Sequence, residues 1–163
     1  MKSKSNAIIL CLAILIIAGF VAPALAGRIT YNDDEPTVYY GSWESDDDAT
    51  EEDINGIYRC EFQFVFTGIK TDGDNEYYVN IDYDGEEPGW LWDAESLYVH
   101  YKWGSGSWVY LCRLDIATSD KDWEINDATS STLYLRFTDA NDYSDDTLHT
   151  WKFSDTPYAI CDY

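Results

Sequence analysis

From Tyr58 to Phe66 the chain alternates. Tyr58, Cys60, Phe62, Phe64 and Phe66 fall on one side, and Arg59, Glu61 and Gln63 on the other. A period of two fits a strand, whose side chains point to opposite faces in turn; a helix repeats its faces every three to four residues. The same period returns along most of the chain. Tyr77, Val79, Ile81 and Tyr83 oppose Tyr78, Asn80 and Asp82. Leu97, Val99, Tyr101 and Trp103 oppose Tyr98, His100 and Lys102. Cys112, Leu114 and Ile116 oppose Arg113 and Asp115, and Leu133, Leu135 and Phe137 oppose Tyr134 and Arg136. Further strands are predicted over 37–43, 147–153 and 158–161, with a short one at 123–125. After the N-terminal segment no window carries a sustained apolar repeat of three and four, and clusters of Asp, Gly, Asn and Ser separate the runs. Eight or nine strands of this kind predict an all-β fold, a single β-sandwich or jelly-roll-like domain. The acidic stretch ESDDDATEED, 44–53, is expected to be a mobile loop.

The first 26 residues follow different rules. Lys2 and Lys4 precede an apolar run from Ala7 to Ala22, and Ala24-Leu25-Ala26 stands before Gly27. A basic start, a short apolar stretch and a small-x-small site describe a secretory signal peptide. The run is short of the roughly 20 apolar residues that a spanning helix needs. The expected organisation is a signal peptide over 1–26 and one β-domain over 27–163, secreted to the cell surface or exterior, with no membrane attachment after cleavage.

Charge narrows the partners. All 31 acidic residues follow residue 26, whereas two of the 10 basic ones precede it. A mature chain that acidic offers no positive field to nucleic acid or to an anionic membrane. It suits divalent cations better. Asp72, Asp74 and Glu76 in TDGDNE, with Asp82 and Asp84 in DYDGEE, are candidate calcium ligands, although neither stretch has the twelve-residue EF-hand pattern. No other cofactor is expected. Catalytic spacings are missing: His100 and His149 stand outside any H-E-x-x-H pattern, and GSGSW is not a nucleophile elbow. An enzyme is not expected.

Cys11 leaves with the signal peptide, so Cys60, Cys112 and Cys161 remain. Three cysteines allow three single bridges, and one thiol is always left over. Cys60 and Cys112 both sit on apolar strand faces and can meet across a two-sheet core, so an intramolecular Cys60–Cys112 disulfide is expected. Cys161, two residues from the end, is expected to be exposed and to bridge to another molecule.

The aromatic content exceeds the needs of a core: seven Trp and 14 Tyr. Tyr39, Tyr78, Tyr98 and Tyr134 fall on outward or ambiguous faces, and such residues favour surfaces that are half dry and half wet. Two functions compete. TVYYGSW and LYVHYKWGSGSW resemble strands of starch-binding modules, and in a carbohydrate-binding module Trp43, Trp90, Trp92, Trp103 and Trp108 would form the sugar platform, for instance on a cell-surface polysaccharide. Alternatively, the same residues form interfaces between copies. One acidic, Tyr-rich β-domain behind a signal peptide, with an odd cysteine near its end, resembles in overall character the major sheath proteins of methanogenic archaea. That resemblance implies a small β-rich subunit that self-assembles into an amyloid-like extracellular coat locked by disulfides. Physical reasoning favours the same outcome, a homo-oligomer or polymer, because unpaired strand edges can join across subunits.

Overall fold

The computed structural model describes residues 27–45, 47–54, 57–87, 96–115, 118–139 and 148–163. The strands are β1 (Arg28–Asn32), β2 (Thr37–Tyr40), β3 (Ser42–Trp43), β4 (Asp48–Thr50), β5 (Glu52–Asp53), β6 (Tyr58–Arg59), β7 (Glu61–Thr67), β8 (Glu76–Glu87), β9 (Leu97–Trp103), β10 (Val109–Leu114), β11 (Thr118–Ile125), β12 (Thr132–Thr138) and β13 (Thr150–Asp162). They form two main antiparallel sheets packed as a β-sandwich. One runs β11-β8-β13-β4-β3, with β1 also on β13; the other runs β10-β9-β12-β7-β2; β5 and β6 make a small ribbon.

Alternation places the core. Phe62, Phe64 and Phe66 of β7 and Leu133, Leu135 and Phe137 of β12 are all buried, and β9 adds Leu97, Val99, Tyr101 and Trp103. They meet Tyr77, Val79, Ile81 and Tyr83 of β8 and Trp151 and Phe153 of β13. The centre is a ring cluster: Phe62 stacks on Phe137 at 4.7 Å, and Phe153 stands edge-on to Phe137 at 5.8 Å. Quadrupole-favoured contacts of this kind add to the burial of apolar area.

The strands outnumber the expected eight or nine because several runs are cut at corners. The run predicted over 37–43 is two strands on different sheets. Gly41 turns the corner at φ +84°, where a Cβ would stand 2.2 Å from the Thr50 carbonyl oxygen. Only glycine meets both demands. The runs predicted over 147–153 and 158–161, in contrast, merge into β13, which follows β8 through three register shifts. Pro157 sits in one of them, where no ladder hydrogen bond is lost. The acidic stretch is also corrected. Asp48–Thr50 is a strand with Ala49 fully buried, paired to Thr150–Lys152, and its hairpin turns at Asp47, φ +62°. Lysine at 152 and the buried methyl of Ala49 anchor what composition alone reads as solvated. Strand β1 was not foreseen; it lies along Tyr158–Asp162, with Arg28 paired to Asp162 at 2.9 Å.

Candidate assembly surface

The five-stranded sheet ends in β10 on one side and β2 on the other. An edge strand presents unpaired N–H and C=O groups, and soluble proteins usually guard it with charge. Strand β11, an edge of the other sheet, is guarded in that way by Asp120, Lys121, Asp122 and Glu124. Strand β2 reads TVYY and has no charged residue; β10 reads VYLCRL and has one, Arg113. Both are also apolar on the outside. Val38 and Tyr39 of β2 are 38% and 51% exposed, and Val109 and Tyr110 of β10 are 39% and 55% exposed. Among the described residues only Leu148 and Tyr163 join them as exposed large apolar side chains. A bulge on each edge leaves Tyr39 and Leu111 out of the ladder with the inner neighbour.

The outward face of this sheet differs from the rest of the chain. Its five strands contain a single acidic residue, Glu61, and three basic ones, Lys102, Arg113 and Arg136. Lys102 Nζ lies over the rings of Trp108 (4.6 Å) and Tyr134 (4.8 Å), and the Arg136 guanidinium lies over Trp108 at 4.4 Å. Next to Arg136 in register is His100, whose ring contacts Tyr110. Burial, and then the Arg136 charge, hold the His100 pKa below its ordinary value. Arg136 Nε and His100 Nδ1 are buried and have no hydrogen-bond partner among the described residues.

The cysteines do not behave as predicted. Cys60, Cys112 and Cys161 are all unbridged and buried. Cys60, just before β7, and Cys112, in β10, do face the core, but on the side of one sheet. Cys112 pairs with Val99, Val99 with Phe137, and Phe137 with Phe62, two residues beyond Cys60. Three strand spacings make roughly 14 Å, and a disulfide needs Cα atoms within about 7 Å. The expected Cys60–Cys112 bridge is therefore replaced by two separate core thiols. The expectation that Cys161 is exposed is likewise corrected. It lies in the other sheet between Tyr77 and Ile29 in register, wholly covered, with its Sγ 3.9 Å from the Lys70 carbonyl oxygen. Pairing with β1 draws the chain end into the sheet, so proximity to the terminus does not mean exposure.

The tryptophans separate too. Trp43 packs into the core against Phe62, Phe64 and Phe153 at 5.1, 5.3 and 5.5 Å. Trp103 is buried and donates its indole N–H to the Asn126 carbonyl. Trp103 offers no face to a sugar, and Trp43 is half-buried with its ring turned to the core. Trp90 and Trp92 lie outside the described residues. Trp108 is half-buried, under two cations. Asp74 and Glu76 line one pocket, but the two calcium-candidate stretches are not brought together. Asp72 and Asp74 are exposed in the turn before β8, Glu76 accepts a hydrogen bond from the Tyr78 hydroxyl, and Asp82 accepts one from the Asp120 N–H. Glu76 and Asp82 are six residues apart on one strand, about 20 Å. Among the described residues no group of three or more His, Cys, Asp or Glu is arranged to hold a metal ion.

Val38 and Tyr110 escaped the sequence reading, which placed Lys102 and Arg136 on outward faces without a role. The signal for them is a local lack of acid: TVYY and VYLC are acid-free stretches in a chain with 31 acidic residues. No known protein family matches this chain, and no curated protein matches it.

Proposed function

We propose that this chain is the structural subunit of an extracellular coat or sheath, and that copies join by pairing the bare edges β2 and β10. The observation that carries this reading is the coincidence, at both ends of one sheet, of backbone with no further strand partner among the described residues, exposed Val–Tyr pairs, and strands that themselves contain no acidic residue. Each join would satisfy a row of backbone groups and cover four apolar side chains. Likeness in overall character to archaeal sheath proteins supports the same reading. A cross-subunit bridge through Cys161 forms no part of it, because that thiol is buried in the folded subunit.

Strand direction restricts the symmetry. Five antiparallel strands alternate, so β10 and β2 run the same way within one subunit. If the sheet continues with its core face on one side, a β2–β10 join is parallel, and antiparallel joins are β2–β2 and β10–β10. Antiparallel pairing is slightly the more stable, so alternating two-fold joins are expected. The test is sedimentation velocity in about 0.15 M salt, where the Debye length is about 8 Å. Wild type should form polymers. Through edge joins alone, V109K/Y110K should stop at dimers held by β2–β2, and V38K/Y39K at dimers held by β10–β10. Monomers in both variants would replace the two-fold joins with parallel ones. A wild type that stays monomeric at every salt and protein concentration would overturn the assembly reading.

A further inference from the structure

The sandwich separates its charges between its two outer faces. Against the single acid of the five-stranded sheet, the other sheet carries three acidic residues in β11, five in β8, two in β13 and one in β4. Glu76, Asp82, Asp84, Asp122, Glu124 and Asp162 alternate with the buried residues of their strands, and so stand outside. The same sheet also carries three basic residues: Arg28 of β1, engaged by Asp162 and Asp122, Lys121 of β11, held over the Trp123 ring, and Lys152 of β13. In a chain of net charge −21, one face is thus basic and aromatic while the opposite face is a field of carboxylates.

The basic face is also preorganised. Lys102 and Arg136 are held against the Trp108 and Tyr134 rings, a contact that fixes a cation without neutralising it. Ordered side chains lose less entropy on binding. Arg136 Nε–H has no acceptor among the described residues, and its contact to Glu61 is a long 3.9 Å. The Arg136 side chain is 28% exposed, so its guanidinium charge, in place of the covered Nε, is what a carboxylate arriving from outside meets.

We propose that the outer face of the β10-β9-β12-β7-β2 sheet docks on the acidic outer face of a second copy, with Lys102 and Arg136 receiving its carboxylates and Arg113, ion-paired within the chain to Asp115, beside them. Because the two faces are different surfaces, the contact is heterologous and runs head to tail. It rests on the assembly reading in taking a second copy as partner, but uses faces in place of edges, and so adds a second direction of growth. The complementary carboxylates are present on the chain itself, which favours a second copy over a foreign polyanion.

Charge exchange tests it. In about 0.15 M salt, K102E/R113E and E124K/D84K should each lose face docking, with dissociation constants raised at least about tenfold by like-charge contact. Arg136, which packs on Trp108, is left intact in both. An equimolar mixture of the two variants should recover association, because each supplies the face the other lacks. Zero-length carbodiimide coupling of isotope-labelled and unlabelled wild type should join Lys102 to an acidic residue of β8 or β11 across subunits. Failure of the mixture to recover, or coupling confined to one subunit, would overturn the proposal. Titration with polygalacturonate gives the alternative: tight binding that K102E/R113E abolishes, without Lys102 coupling between copies, would replace the second copy with an acidic glycan. Lys102 coupling that survives in V109K/Y110K and V38K/Y39K separates the face from the edges, so either contact can fail without the other.

Discussion

Alkylation of the native protein at pH 8 puts the cysteine arrangement at risk. All three thiols are buried and unbridged. Burial raises the Cys112 pKa from the ordinary thiol value of 9.0 to about 12, against a smaller opposing effect of Lys121. Only the thiolate reacts, so a rise of that size cuts the reactive fraction at pH 8 by about 1000-fold. Burial likewise raises the Cys161 pKa. Native protein treated with iodoacetamide, without reductant, should therefore show little mass gain while a small-molecule thiol reacts fully. The same reagent in strong urea, still without reductant, should add one group to each of Cys60, Cys112 and Cys161, because no bridge withholds a sulfur. Peptide mapping should find no joined cysteine peptides in protein kept as a monomer. A Cys60–Cys112 peptide would refute the register Cys112–Val99–Phe137–Phe62, since three strand spacings cannot be closed by a bond. Rapid native labelling of Cys112 would show that β10 does not cover it.

Phe62→Ala should cost about 3–5 kcal/mol in urea unfolding, as for other buried phenylalanines. The ring is 1% exposed and contacts Trp43, Phe64, Phe137 and Phe153; a cost under about 1 kcal/mol would mean that this cluster is not the core. His100 has a folded pKa lowered by burial and by Arg136, so the unfolded chain takes up its proton first. Stability should be full above the ordinary value of 6.5, then fall as the pH drops through the lowered folded value. His100→Gln should flatten the urea midpoint below the ordinary value of 6.5, and an unchanged slope would remove His100 as its source.

Whether a residue faces inward was legible wherever the period of two ran unbroken. Phe62, Phe64 and Phe66, and Leu133, Leu135 and Phe137, are buried as alternation requires, because facing within a strand is a local property of the pleat. The all-β class follows from the same local rule. Pairing between strands is different: it joins residues such as Cys112 and Val99, or Arg28 and Asp162, through contacts that no short window contains. Only the tertiary structure placed Cys60 and Cys112 on the side of one sheet three strands apart, carried Cys161 into the core beside β1, and sent Trp43 across the Gly41 corner into the ring cluster. It also decided which strands had a neighbour on one side only, among the described residues. TVYY and VYLCRL look like any other short apolar runs until the sheet order leaves them at its two ends, and a bare edge is a property of the order in which strands pair, a long-range choice set by packing of the two sheets.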